Sequence, residues 1–446
     1  MDTVYLILGI GLLVFIGHFL NRLFERIRIP DVLFLIVLGL LAGPVFHLIS
    51  PADFGVLGPV FASIAAIIIL FESGISIRFK NIRESLPEAS ALTIISFVLT
   101  ALVSAVMVHV ILQFTWLPSF MFGAMIGGTS SAVVIPVVKH LVVTKRTMTT
   151  LILESAVSDV LCIICFMALY QISLAGTFSA ADIALDLVMT FLVAVIAGTI
   201  SGLGWAVLTG RFRHSSTIFA TPAFVFILYA VVELAGYSGF IAALCFGITL
   251  GNLDFFSTNL FQRRIDTDEI DLTKRERFFF TEIVFIIKTF FFLYIGLAIT
   301  LDNANLLIMA FVLSCIILLL RIPVTWLCIP RIHPVQDASI IAITIPKGLA
   351  AAVLATLAVT DGIPNSDSIA ALVYGVILFS ILLYSIMTFL IQIPQIGGLY
   401  NRMFRAFGTE EENDNKYAYD AVLPATLPSS YYYDIHDIFE DEETDE

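Results

Sequence analysis

The chain has 446 residues, of which 59% are hydrophobic and only 13% charged, about half the charged share of a soluble globular protein. Its formal net charge is −13, but thirteen acids and one base, Lys416, lie from Glu410 onward, which leaves the preceding 409 residues at −1. That composition excludes a soluble globular domain and places the acidity in a tail, where it carries no information about a substrate.

Apolar runs of 18 or more residues recur from end to end, each long enough to cross roughly 30 Å of hydrocarbon as a helix. The alternation of an outer-membrane barrel is absent. The expected fold class is an all-α polytopic membrane protein with about 13 transmembrane helices. They fall at 3–21, 31–49, 57–77, 88–112, 117–138, 149–171, 180–208, 216–235, 238–251, 278–301, 305–329, 336–359 and 367–395. The first run lacks a basic region and an A-x-A-like cleavage site, so it reads as a span and not as a removed signal. The ninth is short for a full crossing. Residues 252–277 form a long charged loop. Residues 1–395 thus make one transmembrane domain, and 396–446 an acidic, tyrosine-rich segment without helical period, expected to be disordered. The five cysteines all lie in apolar runs and read as packing residues, including the C-x-x-C of Cys162 and Cys165.

Lys347, Lys288 and Arg321 lie inside spans; the other 20 Lys and Arg residues all follow odd-numbered spans. By the positive-inside rule the N-terminus is outside and the tail cytoplasmic, in a multi-pass protein of the cell membrane.

Two spans are interrupted. The fifth, "FGAMIGGTSSAVVIPVV", carries Gly127-Gly128-Thr129-Ser130-Ser131 at its middle, and the twelfth, "SIIAITIPKGLAAAVLA", carries Pro346-Lys347-Gly348. They are seven spans apart, and an odd offset reverses orientation in the membrane. Spans 1–6 and 8–13 then form two inverted-topology six-helix repeats joined by span 7, each with a broken helix in fifth place. In secondary transporters such breaks meet at the midplane and form an ion site.

The sixth span opens on "LESAVSDV". Glu154 and Ser158 are four residues apart, as are Ser155 and Asp159, so the four share one stripe of a helix. A carboxylate at the centre of a membrane helix costs about 2.5–3.5 kcal/mol on insertion scales, and intramembrane acids ordinarily face a partner or an aqueous path. Glu154 can instead be one half of a structural ion pair. Asp159 reads as functional, because one base compensates only one acid. Arg321 and Lys347 are the candidate bases; Lys288 is a third and can instead pair with Glu282. Glu72, in "ILFESGIS", is either a ligand or a helix-end acid reaching water.

These residues carry a resemblance. "RIPDVLFLIVLGLLAGP", a threonine in a broken fifth span followed by I-P-V, "ExxxxD" with a serine after the Glu, "FFFLYIGLAI", an arginine before a proline, and a "P-basic-G" break occur in this order over residues 1–395. Together they resemble the monovalent cation:proton antiporter superfamily, in particular its NhaP-like sodium/proton branch. The resemblance implies a homodimer in which a core domain moves against a dimerisation domain, with a role in pH homeostasis. It implies that Asp159 binds the cation or the proton, that Ser155 and Thr129 supply further oxygens, that Glu72 occupies a position acidic in some relatives, and that Glu154 and Arg321 form a structural ion pair. Lys347 matches a basic residue, usually arginine, at the second break.

Three positions depart from that pattern. The first break usually reads Thr-Asp-Pro and here reads Thr129-Ser130-Ser131; span six usually carries Asn-Asp and here carries Ser158-Asp159; Lys347 replaces arginine. Losing the Asp removes a negative charge that offsets helix N-termini at the crossing, and Ser158 keeps an oxygen but no amide. The altered residues bear on which cation is preferred.

The expected function is exchange of a monovalent cation, sodium first and potassium or lithium as alternatives, for protons by alternating access. One carboxylate holds either a proton or a cation, so the simplest exchange is one-for-one and electroneutral. A potassium/proton antiporter, or a gated channel or sensor on the same fold, is the alternative. The metal ligands expected are Asp159, Ser155, Thr129 and Glu72, for a transported monovalent ion. No resident cofactor and no nucleic-acid partner are expected, and no H-E-x-x-H, G-x-S-x-G or nucleotide loop points to an enzyme.

Overall fold

A computed structural model describes residues 11–12, 15–19, 30–54, 57–77, 79, 85–141, 143–175, 180–211, 219–256, 274–391 and 402–408. Among these the regular structure is entirely helical, with no strand. Helices answer the demand of a bilayer, since each satisfies its own backbone groups without water. Short turns aside, in chain order they are α1 (Asp31–Leu40), α2 (Leu57–Ser76), α3 (Leu86–Leu112), α4 (Trp116–Ile126), α5 (Ser131–His140), α6 (Lys145–Ala175), α7 (Ala180–Arg211), α8 (Ala220–Leu234), α9 (Gly239–Gly251), α10 (Lys274–Ala298), α11 (Ala304–Cys328), α12 (Val335–Ile343), α13 (Leu349–Thr360) and α14 (Ser366–Ile391).

Among the described residues six stretches are long and apolar enough to cross a membrane, the broken Trp116–Lys139 among them, and five shorter apolar helices accompany them. The first expected span, 3–21, lies mostly outside the described residues, as do most of the charged loop and the tail from residue 409 on.

Local chemistry sets the helix ends. Pro30 stands at the N-cap of α1 with Asp31 in its first turn, where a negative charge meets the positive end of the helix. Ser238 and Asn303 cap α9 and α11 by accepting from the backbone N–H of Ile241 and Leu306. The pattern along α3 is inverted relative to a soluble helix. Ile94, Val98, Leu102, Val106 and Val110 point outward at four-residue spacing, whereas Thr93, Ser96, Thr100 and Ser104 are buried. Lipid covers the aliphatic stripe, and the polar stripe faces protein.

The helices pack as two bodies. The first comprises α3, the broken pair α4–α5, α6, α11, the broken pair α12–α13, and α14. The second comprises α1, α2 and α7 to α10. They meet along a seam where α13 and α6 face α2 and where α14 faces α10 and α1. Within the second body the backbones approach at glycine. A Cβ on Gly74 of α2 would lie 2.9 Å from the backbone N of Ile248 on α9, so small residues permit that contact.

Ion pairs with buried carboxylates tie helices across the molecule. Lys288 on α10 reaches Asp31 on α1 at 2.9 Å, not Glu282, since six residues along a helix put two side chains about 120° apart around its axis. Glu88 on α3 accepts two bonds from Arg146 Nε and one from Nη2, and a fourth from the Thr150 hydroxyl at 2.8 Å. His333 Nε2 lies 3.1 Å from the same carboxylate. Beside this cluster, Phe404 and Phe407 of the 402–408 segment pack on Trp326, and the Gly408 N–H donates to Arg331 O at 2.9 Å.

Candidate functional site

Both interruptions are real gaps in helix and they cross. α4 ends at Ile126 and α5 begins at Ser131; α12 ends at Ile343 and α13 begins at Leu349. The Ser130 N–H donates to Pro346 O at 2.8 Å, joining the two gaps by backbone. Ser130 sits over Gly348, where any Cβ would overlap its hydroxyl. Glycine is therefore what lets one break pass the other. The Ser130 hydroxyl is buried and, among the described residues, has no hydrogen-bond partner.

Charges are laid out to match the exposed helix ends. Lys347 Nζ donates to Gly128 O at 2.7 Å, just past the C-terminus of α4, where a cation is favoured. Its backbone N–H donates to Ser380 Oγ of α14 at 3.0 Å. At the opposite side of the gap, Ser131, the first residue of α5, donates its hydroxyl to Asp159 Oδ2 at 2.8 Å. The carboxylate thus lies at the positive end of α5 and offsets it, in a chain that has no acid within the break itself. Asp159 is only 6% exposed. It borders a small apolar cavity on the seam, lined by Leu70 of α2, Phe240 of α9 and Leu349, Ala350, Val353 and Leu354 of α13.

The stripe of α6 divides by what its members touch. Glu154 and Arg321 form a two-point carboxylate–guanidinium pair, both buried, and Arg321 also donates to Ser96 Oγ at 2.8 Å and to Ile341 O at 3.1 Å. Ser158 Oγ accepts from the Thr129 N–H at 3.0 Å and lies 3.3 Å from the Thr129 hydroxyl, so it holds the first break by its peptide. Ser155 donates to Ile152 O of its own helix at 3.1 Å, leaving its oxygen lone pairs free to accept. Cys162 accepts from the Gly128 N–H at 3.2 Å, and all five cysteines are free thiols.

The candidates named from sequence therefore fall into groups. Asp159 and Ser131 meet directly; Thr129 and Ser158 meet beside them; Glu154 and Arg321 meet about a turn of α6 away; Lys347 and Ser130 hold the crossing. Glu72 stands apart: it is exposed, and among the described residues it makes no hydrogen bond or ion pair to any of these. Sequence reasoning missed Ser73, whose hydroxyl lies 3.2 Å from Ser131 Oγ. A hydroxyl beside an intramembrane acid was the available signal, but the one-residue step from Glu72 turns it about 100° around the helix.

The geometry is that of a buried carboxylate at a crossing of two broken helices. Residues 11–392 match the family model described as "Sodium/hydrogen exchanger, transmembrane". The chain belongs to the sodium/hydrogen exchanger family.

Among relatives of this exchanger, "Na(+)/H(+) antiporter 1" of Methanocaldococcus jannaschii is 24% identical over 389 residues, covering 83% of this chain and 87% of that protein. "K(+)/H(+) antiporter NhaP2" of a Shewanella species (strain MR-4) is 25% identical over 254 residues, 54% of this chain. The exchanger spans less than half the length of that potassium/proton antiporter, 43%. The fold matches the solved structure of the sodium proton antiporter MjNhaP1 from M. jannaschii at pH 8 with a TM-score of 0.68 and 21% identity, over 86% of this chain and all of that one.

Proposed function

We propose that this chain exchanges sodium for protons across the cell membrane, with Asp159 as the one group that carries either ion. One observation carries this reading: Asp159 is a buried carboxylate placed at the N-terminus of α5, inside the crossing of two broken helices and on the seam between two helical bodies. An ionised carboxylate there is stable only with a counter-charge or a proton. The empty anion is the costly state, so each body can shift past the other when Asp159 is loaded and resists shifting when it is not. That asymmetry is what makes exchange obligatory.

Thr129 and Ser155 supply neutral oxygens to the cation and Ser158 braces Thr129 for that purpose. Glu154 and Arg321 fix α6 to α11. With one exchangeable carboxylate the cycle is one-for-one and electroneutral. Glu72 lies away from Asp159, so it enters as a second ligand only in another conformation.

The first body moves as the transporting core, and the second supplies the dimer contact of a homodimer. The core consists of two triplets in the same order (an unbroken helix, a broken one, an unbroken one), which supports the reading of spans 1–6 and 8–13 as inverted repeats about span 7. The distribution of Lys and Arg supports an outside N-terminus and a cytoplasmic tail.

The relatives include both sodium and potassium antiporters, and the test discriminates them. Purified protein in liposomes with an internal pH dye is given sodium, potassium or lithium, with and without a potential clamp. Sodium, and lithium less strongly, should move protons, with no effect of the clamp. A response to potassium alone replaces the cation, and a clamp-dependent current uncoupled from pH replaces exchange with a channel.

A further inference from the structure

Ser73, on α2, belongs to the second body, whereas Ser131 and Asp159 belong to the first. Their oxygens form a directed chain across the seam. Ser73 Oγ donates to Ser131 Oγ at 3.2 Å, and Ser131 Oγ donates to Asp159 Oδ2 at 2.8 Å. All three side chains are buried, at 3%, 2% and 6% exposure. Ser131 is fixed as the first residue of α5, and its position cannot drift, because the neighbouring Ser130 N–H is bonded to Pro346 O. We infer that Ser131 is a cation ligand and that Ser73 is its positioning partner, the two together setting which alkali ion Asp159 prefers. The inference rests on Asp159 being the exchange site.

The direction of the chain suits the empty carboxylate, since an ionised Asp159 accepts and cannot donate. Both loaded states require it to turn. A proton on Asp159 is offered towards Ser131 Oγ, which then accepts and must send its own hydrogen elsewhere. A cation beside Asp159 needs a lone pair from Ser131, which again must aim its hydrogen away. Ser73 Oγ is the acceptor within reach. A hydroxyl both donates and accepts and rotates freely, so the Ser73–Ser131 bond reverses and is not lost when Asp159 is loaded.

Spacing ties this pair to selectivity. Oxygen bonds of about 2.4 Å to a hard cation place neighbouring ligand oxygens about 3.4 Å apart when they subtend a right angle. The Ser131–Asp159 spacing of 2.8 Å therefore needs to open by only roughly half an ångström to admit a small ion. A larger ion requires more, and it must push α5 further from α6 to obtain it, against the brace that Ser73 provides. Removing the Ser131 oxygen takes a ligand from the small ion and makes room for the large one.

The test is calorimetric titration of the purified full-length protein with sodium chloride and potassium chloride, with choline chloride as control, so that it does not depend on transport. Ser131→Ala should weaken sodium binding about fivefold, the worth of one polar contact, and potassium binding distinctly less, lowering the sodium-to-potassium preference. Ser73→Ala should lower it in the same sense and by a smaller factor. Ser131→Thr and Ser73→Thr, which keep the hydroxyl, should restore the wild-type ratio, which a loss of packing alone does not predict. Sodium binding that is lost in Asp159→Asn but keeps its wild-type ratio in both alanine variants overturns the inference and leaves the exchange site standing. Sodium binding that survives Asp159→Asn overturns the exchange site itself.

Discussion

Glu154 and Asp159 are five residues apart on one helix and are treated in opposite ways by their surroundings. Glu154 is met by both ends of a guanidinium, which is in turn held by Ser96 and Ile341 O. Removing one member of such a pair leaves a buried charge without a partner, which costs roughly 3–5 kcal/mol. Glu154→Gln and Arg321→Gln should each lower the melting temperature in detergent well below that of Asp159→Asn, since Asp159 bonds a serine hydroxyl and not a guanidinium. Equal melting temperatures for the three variants would contradict the division of the stripe into a bracing acid and an exchanging one. Sequence spacing could put these residues on one stripe, and counting bases could nominate Arg321. It could not show that Ser158 turns to the Thr129 peptide or that Ser155 turns to its own helix, because both depend on where the first break passes α6.

At the scale of elements, Gly-Gly-Thr-Ser-Ser and Pro-Lys-Gly mark the two gaps plainly, since glycine and proline interrupt helices for reasons local to the chain. Their crossing is a long-range fact. The fit of Ser130 over Gly348 joins residues more than two hundred positions apart, and nothing in either stretch alone announces it. Gly348→Ala should therefore lower both stability and exchange, because the new Cβ overlaps the Ser130 side chain. Adding Ser130→Gly should recover a large part of the melting temperature, since glycine costs only a few tenths of a kcal/mol against serine at an N-cap. A double variant no better than Gly348→Ala would show that the overlap is not what makes that glycine necessary. The ion pair between Lys288 and Asp31 escaped for a similar reason: the partner lies on another helix, and the sequence offered a nearer acid.

At the scale of the whole molecule, the low share of charged residues and the recurrence of long apolar runs made the membrane architecture legible, because the bilayer imposes it on every helix alike. The division into two bodies was not legible from periodicity, which says which face is buried but not against what. The start of the tail is similar: Phe404 and Phe407 are fully buried against Trp326, although they fall within 396–446, whose composition reads as disordered throughout. Phe404→Ala should cost about 3–5 kcal/mol, as for other buried aromatic truncations, read as a fall in melting temperature, while truncation after Gly408 should leave it near wild type. A truncation as damaging as Phe404→Ala would mean that the tail itself holds the fold.

The central claim is that one carboxylate carries both ions, and a sodium pulse on liposomes containing a pH dye tests it most directly. Wild-type protein should alkalinise or acidify the lumen according to the direction of the sodium gradient, at a rate unaffected by clamping the potential. Asp159→Asn, folded and with a melting temperature near wild type, should give no sodium-dependent pH change. Sodium-dependent proton movement retained in that variant would contradict the account.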